Sequence, residues 1–511
     1  MSFPPRAALF GVILTVFAAS GSQNVSAAEK EYRLQARIPQ GQLTRVRMQL
    51  EVEGQLKLLD ADKKRDLPLK VNAQFDYHER FVQGTPSQLG GLRSVRYYQR
   101  PRAEIEIGKG ESQSELRSDR RLIVVDSPGG SPVQLFSPSG PLTREELDLL
   151  STQANSLLLH ALLPDKAVKV GDEWKATPDV WGAVLGVDAV AASDVKSKLS
   201  EVKDGVAVID SHGHVDAAVA GVATEVEVKS RCFFHLSSHR VTDFSMAARE
   251  KRSVGHVSPG LEVVAKVRVK ISPLRSSSYL GDHKLKGVPL APNGAVTQLV
   301  YRRPALIQFH HGRDWFVVDE GEQGLSMRLI DSGELLAQCT VAAVLPGKSV
   351  APPTPESFQA EIREAIGEGF QEFTEAAWIT NEPARKVLRV VAIGEASGLP
   401  IQWTYYLIRD KNGRQAVFTF ATETALVEQL KQADYQMVAS LTFLAPSTAA
   451  APPAPIEETH RLQAEQAQDG SEEQVTPIAD FHSSPMSKAS PKRSRSAEAP
   501  FSVNGLSYMQ R

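Results

Sequence analysis

Residues 401–420 have the sequence IQWTYYLIRDKNGRQAVFTF, which is typical of a β-hairpin. In the predicted turn at residues 410–413, Asn412-Gly413 supplies the positive φ that a hairpin requires. β-Branched and aromatic residues dominate both sides of this turn and favour strands over residues 401–408 and 415–420. Apolar side chains point to both faces of the first strand, so other elements must cover both faces.

The segments around the hairpin predict those covering elements. Thr354 is a suitable helix cap, and Pro355 suits the first helical position, where no intrahelical N–H bond is lost. Phe358 and four further apolar residues at helical spacing predict a buried stripe on this helix. Residues 426–441 repeat the same spacing and predict a final helix. The stretch 304–445 therefore predicts one compact domain with a sheet between helices.

The hairpin and the helix after it resemble part of the PsbP-type α/β/α sandwich. This is a family of extrinsic photosystem II proteins with secreted and lipoprotein relatives in bacteria. The resemblance covers roughly residues 304–444 in the order of the elements, and its most specific part is YYLIRD at 405–410 with VFTF at 417–420. Members are mostly non-enzymatic binding or assembly proteins, so the resemblance implies a role of that kind and brings no catalytic or metal motif.

Apolar and polar residues alternate, with a period of two, through much of residues 31–271. Val46, Met48 and Leu50 alternate with charged or polar residues, and similar alternation recurs further along. This pattern is typical of antiparallel strands with one buried face. Helices interrupt it at Thr143, where a capping box begins, and at Thr177-Pro178. The region predicts a curved antiparallel β-sheet domain with a few helices. Through its predicted helix at 181–185 and the run EKRS at 250–253, it resembles an uncharacterised β-rich family of secreted bacterial proteins.

The predicted fold class is α+β, and the chain divides into five parts. These are a signal peptide (1–28), a β-rich domain (29–271), a linker (272–303), a PsbP-like α/β/α domain (304–445) and a disordered tail (446–511). The linker is rich in Ser, Pro and Gly, and its apolar residues follow no regular spacing. The tail is rich in Ala and Pro, then in Glu and Gln, and then in Ser. Such compositions bury too little apolar surface to offset chain entropy.

The N-terminus indicates export to the periplasm or the extracellular space. Arg6 precedes an apolar run over residues 7–19, and small residues at 26–28 suit a signal peptidase. The run is shorter than the roughly 20 residues of a spanning helix, so cleavage is expected rather than retention as an anchor. No membrane span is predicted after cleavage. The formal net charge of -2 gives no general attraction to nucleic acid.

One group of residues is typical of metal ligands. It contains Cys232, His235 and His239, with His212 and His214 upstream. Zinc needs three or four such ligands to converge, but Cys232 and His235 differ in parity on a strand and would face apart. No metal site is therefore predicted. Cys232 and the only other cysteine, Cys339, could form one bridge or stay as two buried thiols.

Catalytic patterns are equally weak. The stretch HHGRD at 310–314 collects acid–base residue types, but adjacent histidines on a strand face apart. The chain contains no G-x-S-x-G nucleophile motif. No catalytic residue and no cofactor are predicted.

Trp403, Tyr405 and Tyr406 are the candidate binding residues. Trp403 and Tyr405 share one face of the predicted strand, and Tyr406 lies on the other. Two interpretations stay open for them. They anchor the core under the two helices, or they form a ligand or partner surface where that face is open, since large aromatics supply rigid contact area.

The predicted function is binding or assembly by an exported, non-enzymatic protein of the bacterial cell envelope. Its partner is an unidentified envelope protein or an apolar ligand, and not nucleic acid. Two alternatives stay open. The β-rich domain could enclose a lipid-like ligand as a carrier or sensor. An envelope hydrolase could instead assemble its site from residues that are distant in sequence.

Overall fold

The computed structural model describes residues 30–60, 63–85, 88–129, 132–303, 306–321, 324–344 and 353–445. Strands account for 56% of the structure and helices for 15%. The chain is therefore mainly antiparallel β-sheet. The predicted signal peptide and the predicted tail lie outside the described residues.

The first sheet has fourteen strands. They are β1 (Leu43–Asp60), β2 (Lys63–Gln83), β3 (Leu92–Tyr98), β4 (Arg102–Ile107), β5 (Gly110–Glu115), β6 (Leu122–Ser127), β7 (Gln134–Phe136), β8 (Glu173–Trp174), β9 (Ala189–Ser193), β10 (Lys196–Lys203), β11 (Val206–Val219), β12 (Val222–His235), β13 (Arg240–Arg252) and β14 (Gly260–Leu274). Their order is β7-β6-β3-β2-β1-β14-β13-β12-β11-β10-β8, while β4 pairs with β2 and β5, and β9 pairs with β11.

Short helices cover one face of this sheet, which we call the inner face. They are α1 (Arg144–Leu150), a 3-10 helix (Leu159–Leu162) and α2 (Pro178–Leu185). Leu150, Leu159 and Trp181, one from each element, are buried in the same core as Val46 and Met48 of β1. Burial of each such side chain stabilises the fold by about 1.5–3 kcal/mol. The helices therefore fill the inner face instead of leaving it open.

The helix that begins at Thr143 is shorter than the apolar spacing to Ala161 predicts. Its capping box forms, because Thr143 accepts from the Glu146 backbone and the Glu146 side chain accepts from the Thr143 backbone. The helix nevertheless ends at Leu150, and Ala154 adopts a φ of 57°. This break turns the following residues toward the sheet, where their polar side chains find partners.

A buried ion pair ties that segment to the sheet. Arg96 Nε donates to Glu79 Oε1 over 2.7 Å, and these side chains are only 4% and 9% exposed. Ser156 donates to the other oxygen of Glu79 over 2.7 Å, and Arg96 also donates to Asn155. Burial by itself raises the pKa of Glu79, but the charge of Arg96 and the hydrogen bonds outweigh it and hold the pKa below its usual value. The pair is therefore ionised in the interior.

Residues 275–298, the central part of the stretch predicted as a linker (272–303), pack on the opposite face, which we call the outer face. They contain two short helices, α3 (Asp282–Leu285) and α4 (Gly294–Thr297). Leu280 is fully buried against Val95, Val124 and Phe136 of the sheet. This segment therefore covers part of the outer face and leaves the rest exposed.

The second half of the chain contains two more sheets. A three-stranded sheet has the order β15 (Leu299–Arg303), β16 (Ile307–His311) and β24 (Thr442–Phe443). A seven-stranded antiparallel sheet contains β17 (Trp315–Gly321), β18 (Gly324–Asp331), β19 (Glu334–Val344), β20 (Phe370–Glu382), β21 (Arg385–Ala396), β22 (Leu399–Asp410) and β23 (Gln415–Glu423), in the order β17-β18-β19-β23-β22-β21-β20. The helices of this half are α5 (Pro355–Ile366) and α6 (Ala433–Ala439), with 3-10 turns at Gly367–Gly369 and Thr424–Leu430. A further 3-10 turn, Ser118–Arg120, lies between β5 and β6 in the first half.

The prediction of an α/β/α sandwich is wrong. α5 does cover one face of the seven-stranded sheet through Phe358. The other face is covered largely by the three-stranded sheet, including Phe309, and by the seven-residue α6. The predicted long helix over 426–441 is broken because Lys431 and Gln432 adopt φ angles of 46° and 64°. The resemblance to the PsbP family itself stays a prediction.

The hairpin at residues 401–420 lies at the middle of this sheet. β22 and β23 pair from Ile401 opposite Glu423 to Arg409 opposite Gln415. The Asp410 carboxylate accepts from the backbone N–H of Asn412 over 2.9 Å, and it also accepts from the backbone N–H of Arg414. The turn chemistry therefore sets the register of the two strands.

Arginines join the two halves of the chain by donating to backbone carbonyl groups. Arg144 donates to the carbonyl of Trp315 over 3.1 Å, and Arg313 donates to the carbonyl of Leu135 over 2.6 Å. At another point two hairpin turns touch, one from each half. A Cβ added to Gly221 would lie 2.1 Å from the Cα of Gly333, and both glycines have positive φ angles, of 76° and 91°. The turns meet backbone to backbone.

The buried ion pair predicts a large loss of stability when one partner is neutralised. Glu79→Gln leaves Arg96 charged and desolvated without its counter-ion, so we expect unfolding to become easier by about 3–5 kcal/mol in urea titrations. The matched control is Glu262→Gln, which breaks the exposed 2.9 Å pair with Lys57. That change should alter stability by about 1 kcal/mol or less. Equal losses in the two variants would contradict this account of the core.

Candidate functional site

The structure places the three candidate binding residues inside the second domain. Trp403 is 4% exposed, and Tyr405 and Tyr406 are each 1% exposed. Trp403 and Tyr405 pack beneath α5, whereas Tyr406 belongs to the core on the opposite face and donates to Asp434 over 2.8 Å. The three side chains therefore fill two cores and present no open surface.

The histidine and cysteine residues considered as metal ligands are not brought together. Cys232 is buried, and burial raises the pKa of its thiol to about 12. His214 is exposed and lies 3.0 Å from Asp216. Within the ranges that the structure describes, no cluster of three or more metal-binding side chains occurs. Cys232 and Cys339 are both free and lie in separate cores.

A small cavity lies between the inner face and the inserted helices. It has a volume of about 30 Å³, and its lining includes Glu79, Ser156, His160 and Arg240. His160 is 4% exposed, and neither of its ring nitrogens has a hydrogen-bond partner. A space of this size holds about one or two water molecules, which would satisfy the imidazole.

A much larger cleft, of about 1000 Å³, opens on the outer face. It lies where β2 changes partner: residues 69–74 pair with β4, and residues 77–83 pair with β3. Pro101 is buried in the break between β3 and β4, and a residue without an N–H suits a break in a ladder. The sheet therefore forks here into a β3-β6 branch and a β4-β5 branch. We call this opening the fork cleft.

Positive charge predominates in the fork cleft. Four arginines and two carboxylates line it: Arg47, Arg100, Arg102, Arg121, Asp76 and Glu115. Arg45 donates to the two oxygens of Asp76 over 2.9 and 2.6 Å. This hydrogen bonding, together with the charges of Arg45 and Arg47, lowers the pKa of Asp76. Asp76 is thus ionised, and its negative charge is already balanced by Arg45. The arginines that line the cleft outnumber its carboxylates.

Several of these guanidinium groups have unused donors. In the described part of the chain, Arg100 and Arg102 form no ion pair, and Arg121 keeps a buried Nε without a hydrogen-bond partner. A buried donor that finds no acceptor costs about 1–3 kcal/mol. An anion in the fork cleft would supply the missing acceptor.

Two tyrosines form an aromatic wall of the fork cleft. The rings of Tyr97 and Tyr279 are stacked, with centroids 4.1 Å apart and an interplanar angle of 3°. His78 contacts the edge of this pair at 5.5 Å from Tyr279. Tyr279 remains 37% exposed. An exposed ring that is already held by its neighbours loses little entropy when it binds a ligand.

Sequence reasoning missed the fork cleft because no single segment contains it. Its arginines come from β1, from residues 100–102 and from residue 121, and the register of the sheet brings them together. The only local signal is the stretch YYQRPR at 97–102. A proline within an aromatic, strand-like run predicts a break in the sheet, and the arginines around it indicate its charge.

Comparisons with known proteins give no family. No family model matches this chain, and no curated protein matches its sequence. Among solved structures, one of lipovitellin, described for its lipid–protein interactions, aligns with 9% identity and a TM-score of 0.28. That alignment covers 51% of this chain but only 27% of the lipovitellin chain.

Two further solved structures are similarly distant. The translocator domain of the autotransporter NalP from Neisseria meningitidis aligns with 7% identity and a TM-score of 0.12, over 76% of this chain and 89% of that one. OccK8 (OprE) from Pseudomonas aeruginosa aligns with 7% identity and a TM-score of 0.12, over 76% and 98%. TM-scores this low do not indicate a shared fold. Among the described helices, none combines the length and hydropathy needed to cross a membrane.

Buried His160 predicts that stability falls in mild acid. Burial lowers its pKa to about 4, so the folded protein keeps it neutral while the unfolded chain titrates near pH 6.5. Its contribution is present above about pH 6.5 and is lost as pH falls toward 4, by roughly 3 kcal/mol in total. His160→Gln should flatten the loss of melting temperature between these pH values.

The control for this experiment is His283→Gln, which removes an exposed histidine. It should leave the pH dependence of the melting temperature unchanged. His311, 3% exposed and also with its pKa lowered to about 4 by burial, should contribute a similar acid loss in the second domain. Identical pH profiles for His160→Gln and the parent protein would contradict the prediction.

Proposed function

We propose that this protein is a non-enzymatic binding protein of the cell envelope and that it holds an anionic ligand in the fork cleft. The observation that carries the proposal is the excess of guanidinium groups there, four against two carboxylates, one of which is already paired with Arg45. Guanidinium groups bind carboxylate, phosphate and sulfate through two parallel hydrogen bonds. The volume of about 1000 Å³ suits a ligand of several rings or a segment of a longer chain.

The positive charge of the fork cleft is local. The whole chain has a formal net charge of -2, with 58 basic and 60 acidic residues. A general basic composition therefore does not explain the cluster of arginines at the fork. A local field of this kind attracts an anion to one place on a protein that is otherwise close to neutral.

The chemistry of the fork cleft favours binding over catalysis. Guanidinium groups stay protonated near pH 7, so they hold a ligand but do not exchange protons with it. The cell-envelope location rests on the predicted signal peptide. The carrier alternative needs room for an apolar ligand, and the cavity described between the inner face and the inserted helices, of about 30 Å³, is too small for one.

Replacing two cleft arginines should weaken retention on an immobilised polyanion. We expect the parent protein to bind a heparin matrix at low salt in spite of its net negative charge, and Arg102→Gln with Arg121→Gln to elute at clearly lower salt. Each lost phosphate or sulfate contact reduces the salt-dependent part of binding. The measurement is the salt concentration at elution.

The matched control removes two exposed arginines outside the fork cleft, Arg33→Gln with Arg302→Gln. It carries the same change of net charge and should elute with the parent protein. The proposal is contradicted if the parent protein does not bind the heparin matrix, or if the two double variants elute at the same salt concentration.

A further inference from the structure

We infer that the anionic ligand is an acidic polysaccharide, and that it extends from the fork cleft across the neighbouring strands of the outer face. This inference rests on the proposed function and narrows its ligand class. It is carried by three features: a row of side chains in register, amide groups placed between cations, and an exposed stacked tyrosine.

The row crosses four strands. Arg102 of β4 lies opposite Gln74 of β2, Gln74 lies opposite Gln49 of β1, and Gln49 lies opposite Arg268 of β14. All four side chains are exposed on the outer face. Since neighbouring strands are about 4.8 Å apart, the two arginines at the ends are separated by about 14 Å. That distance exceeds one sugar unit, so the row suits a chain rather than a small anion.

A second row lies beside the first and carries charges of both signs. Arg47 of β1 lies between Asp76 of β2 and Lys270 of β14. Lys270 lies opposite Asp243 of β13. The Asp76 carboxylate is the one that Arg45 already neutralises. Glu115 lies opposite Arg102 in the register of β4 and β5, so a ligand competes with one internal carboxylate at that end. The balance along the two rows remains cationic.

Amide side chains distinguish this surface from a simple polyanion site. Gln49 and Gln74 stand between the two end arginines, and Gln99 also lines the fork cleft. Each amide offers two N–H donors and one carbonyl acceptor. Neighbouring hydroxyl groups of a sugar use both kinds of group, whereas an acidic peptide or polyphosphate chain has few hydroxyl groups to match them.

The stacked tyrosine supplies the apolar contact that a sugar ring requires. Tyr279 is 37% exposed and is held by Tyr97 at 4.1 Å and by His78 at 5.5 Å. The C–H face of a sugar ring packs on an aromatic ring, and a pre-positioned ring loses little side-chain entropy on binding. Guanidinium, amide and aromatic groups together match the carboxylate, hydroxyl and C–H groups of a uronic-acid chain.

The test compares three probes by calorimetric titration of the full protein. Oligogalacturonate presents carboxylates on a sugar chain, maltooligosaccharide of equal length is neutral, and poly-glutamate of equal charge lacks sugar rings. We expect oligogalacturonate to bind at least roughly tenfold more tightly than poly-glutamate, and the neutral sugar to give no measurable binding.

Variants locate the site. Tyr279→Ala should weaken oligogalacturonate binding by roughly tenfold, while Tyr435→Ala, which removes a tyrosine that is 48% exposed in the second domain, should not change it. Gln74→Ala removes an exposed amide and serves as a second variant in case loss of Tyr279 loosens residues 275–298.

Arg268→Gln tests the extended path. It should weaken the binding of a long oligomer several-fold but leave the binding of a disaccharide unchanged, because Arg268 lies beyond the fork cleft.

The outcomes separate the two proposals. Equal affinity for poly-glutamate and oligogalacturonate, with no effect of Tyr279→Ala or Gln74→Ala, overturns the polysaccharide while the anion-binding function stands. Failure of both anionic probes to bind overturns both. Equal loss of long and short oligomers in Arg268→Gln overturns the extended path across the strands.

Discussion

The ion pair between Arg96 and Glu79 is the constraint on which the first domain depends. Removal of two charges from water costs several kcal/mol for each ion, and the pair is tolerated only when its remaining hydrogen-bonding groups are also satisfied. Ser156 and Asn155 meet that requirement, and they come from the segment that breaks away from α1. The need to satisfy one buried pair therefore fixes the inserted helices on the inner face.

Filling the inner face determines where a ligand can bind. The helices bury the alternate residues that include Val46 and Met48, so the opposite residues of the same strands, such as Arg47 and Gln49, remain available on the outer face. Residues 275–298 cover only the part of that face around Leu280. The fork at Pro101 then opens the uncovered part into a cleft. Core packing on one side of the sheet and the proposed ligand surface on the other follow from the alternation of side chains between the two faces of each strand.

Local chemistry in the sequence predicts local structure well in this chain. The capping box at Thr143 and the Asn412-Gly413 turn both form because each depends on residues within a few positions of one another. The layering of the second domain was not predictable in this way. Lys431 and Gln432 are ordinary helix-compatible residues, so nothing in their side chains signals the positive φ angles that break the helix. Trp403, Tyr405 and Tyr406 signalled a core on both faces, but the sequence did not show that one cover would be another sheet.

The contact between Gly221 and Gly333 has a consequence for the shape of the whole molecule. Two turns from different sheets touch through the backbone of these glycines, so no side chain can shift or change rotamer to make room. Because the two backbones are in direct contact, a methyl group on either glycine would clash with the other turn and tilt one domain against the other. The bare backbone at this contact therefore limits how closely the two domains approach, while the hydrogen bonds of Arg144 and Arg313 hold them together.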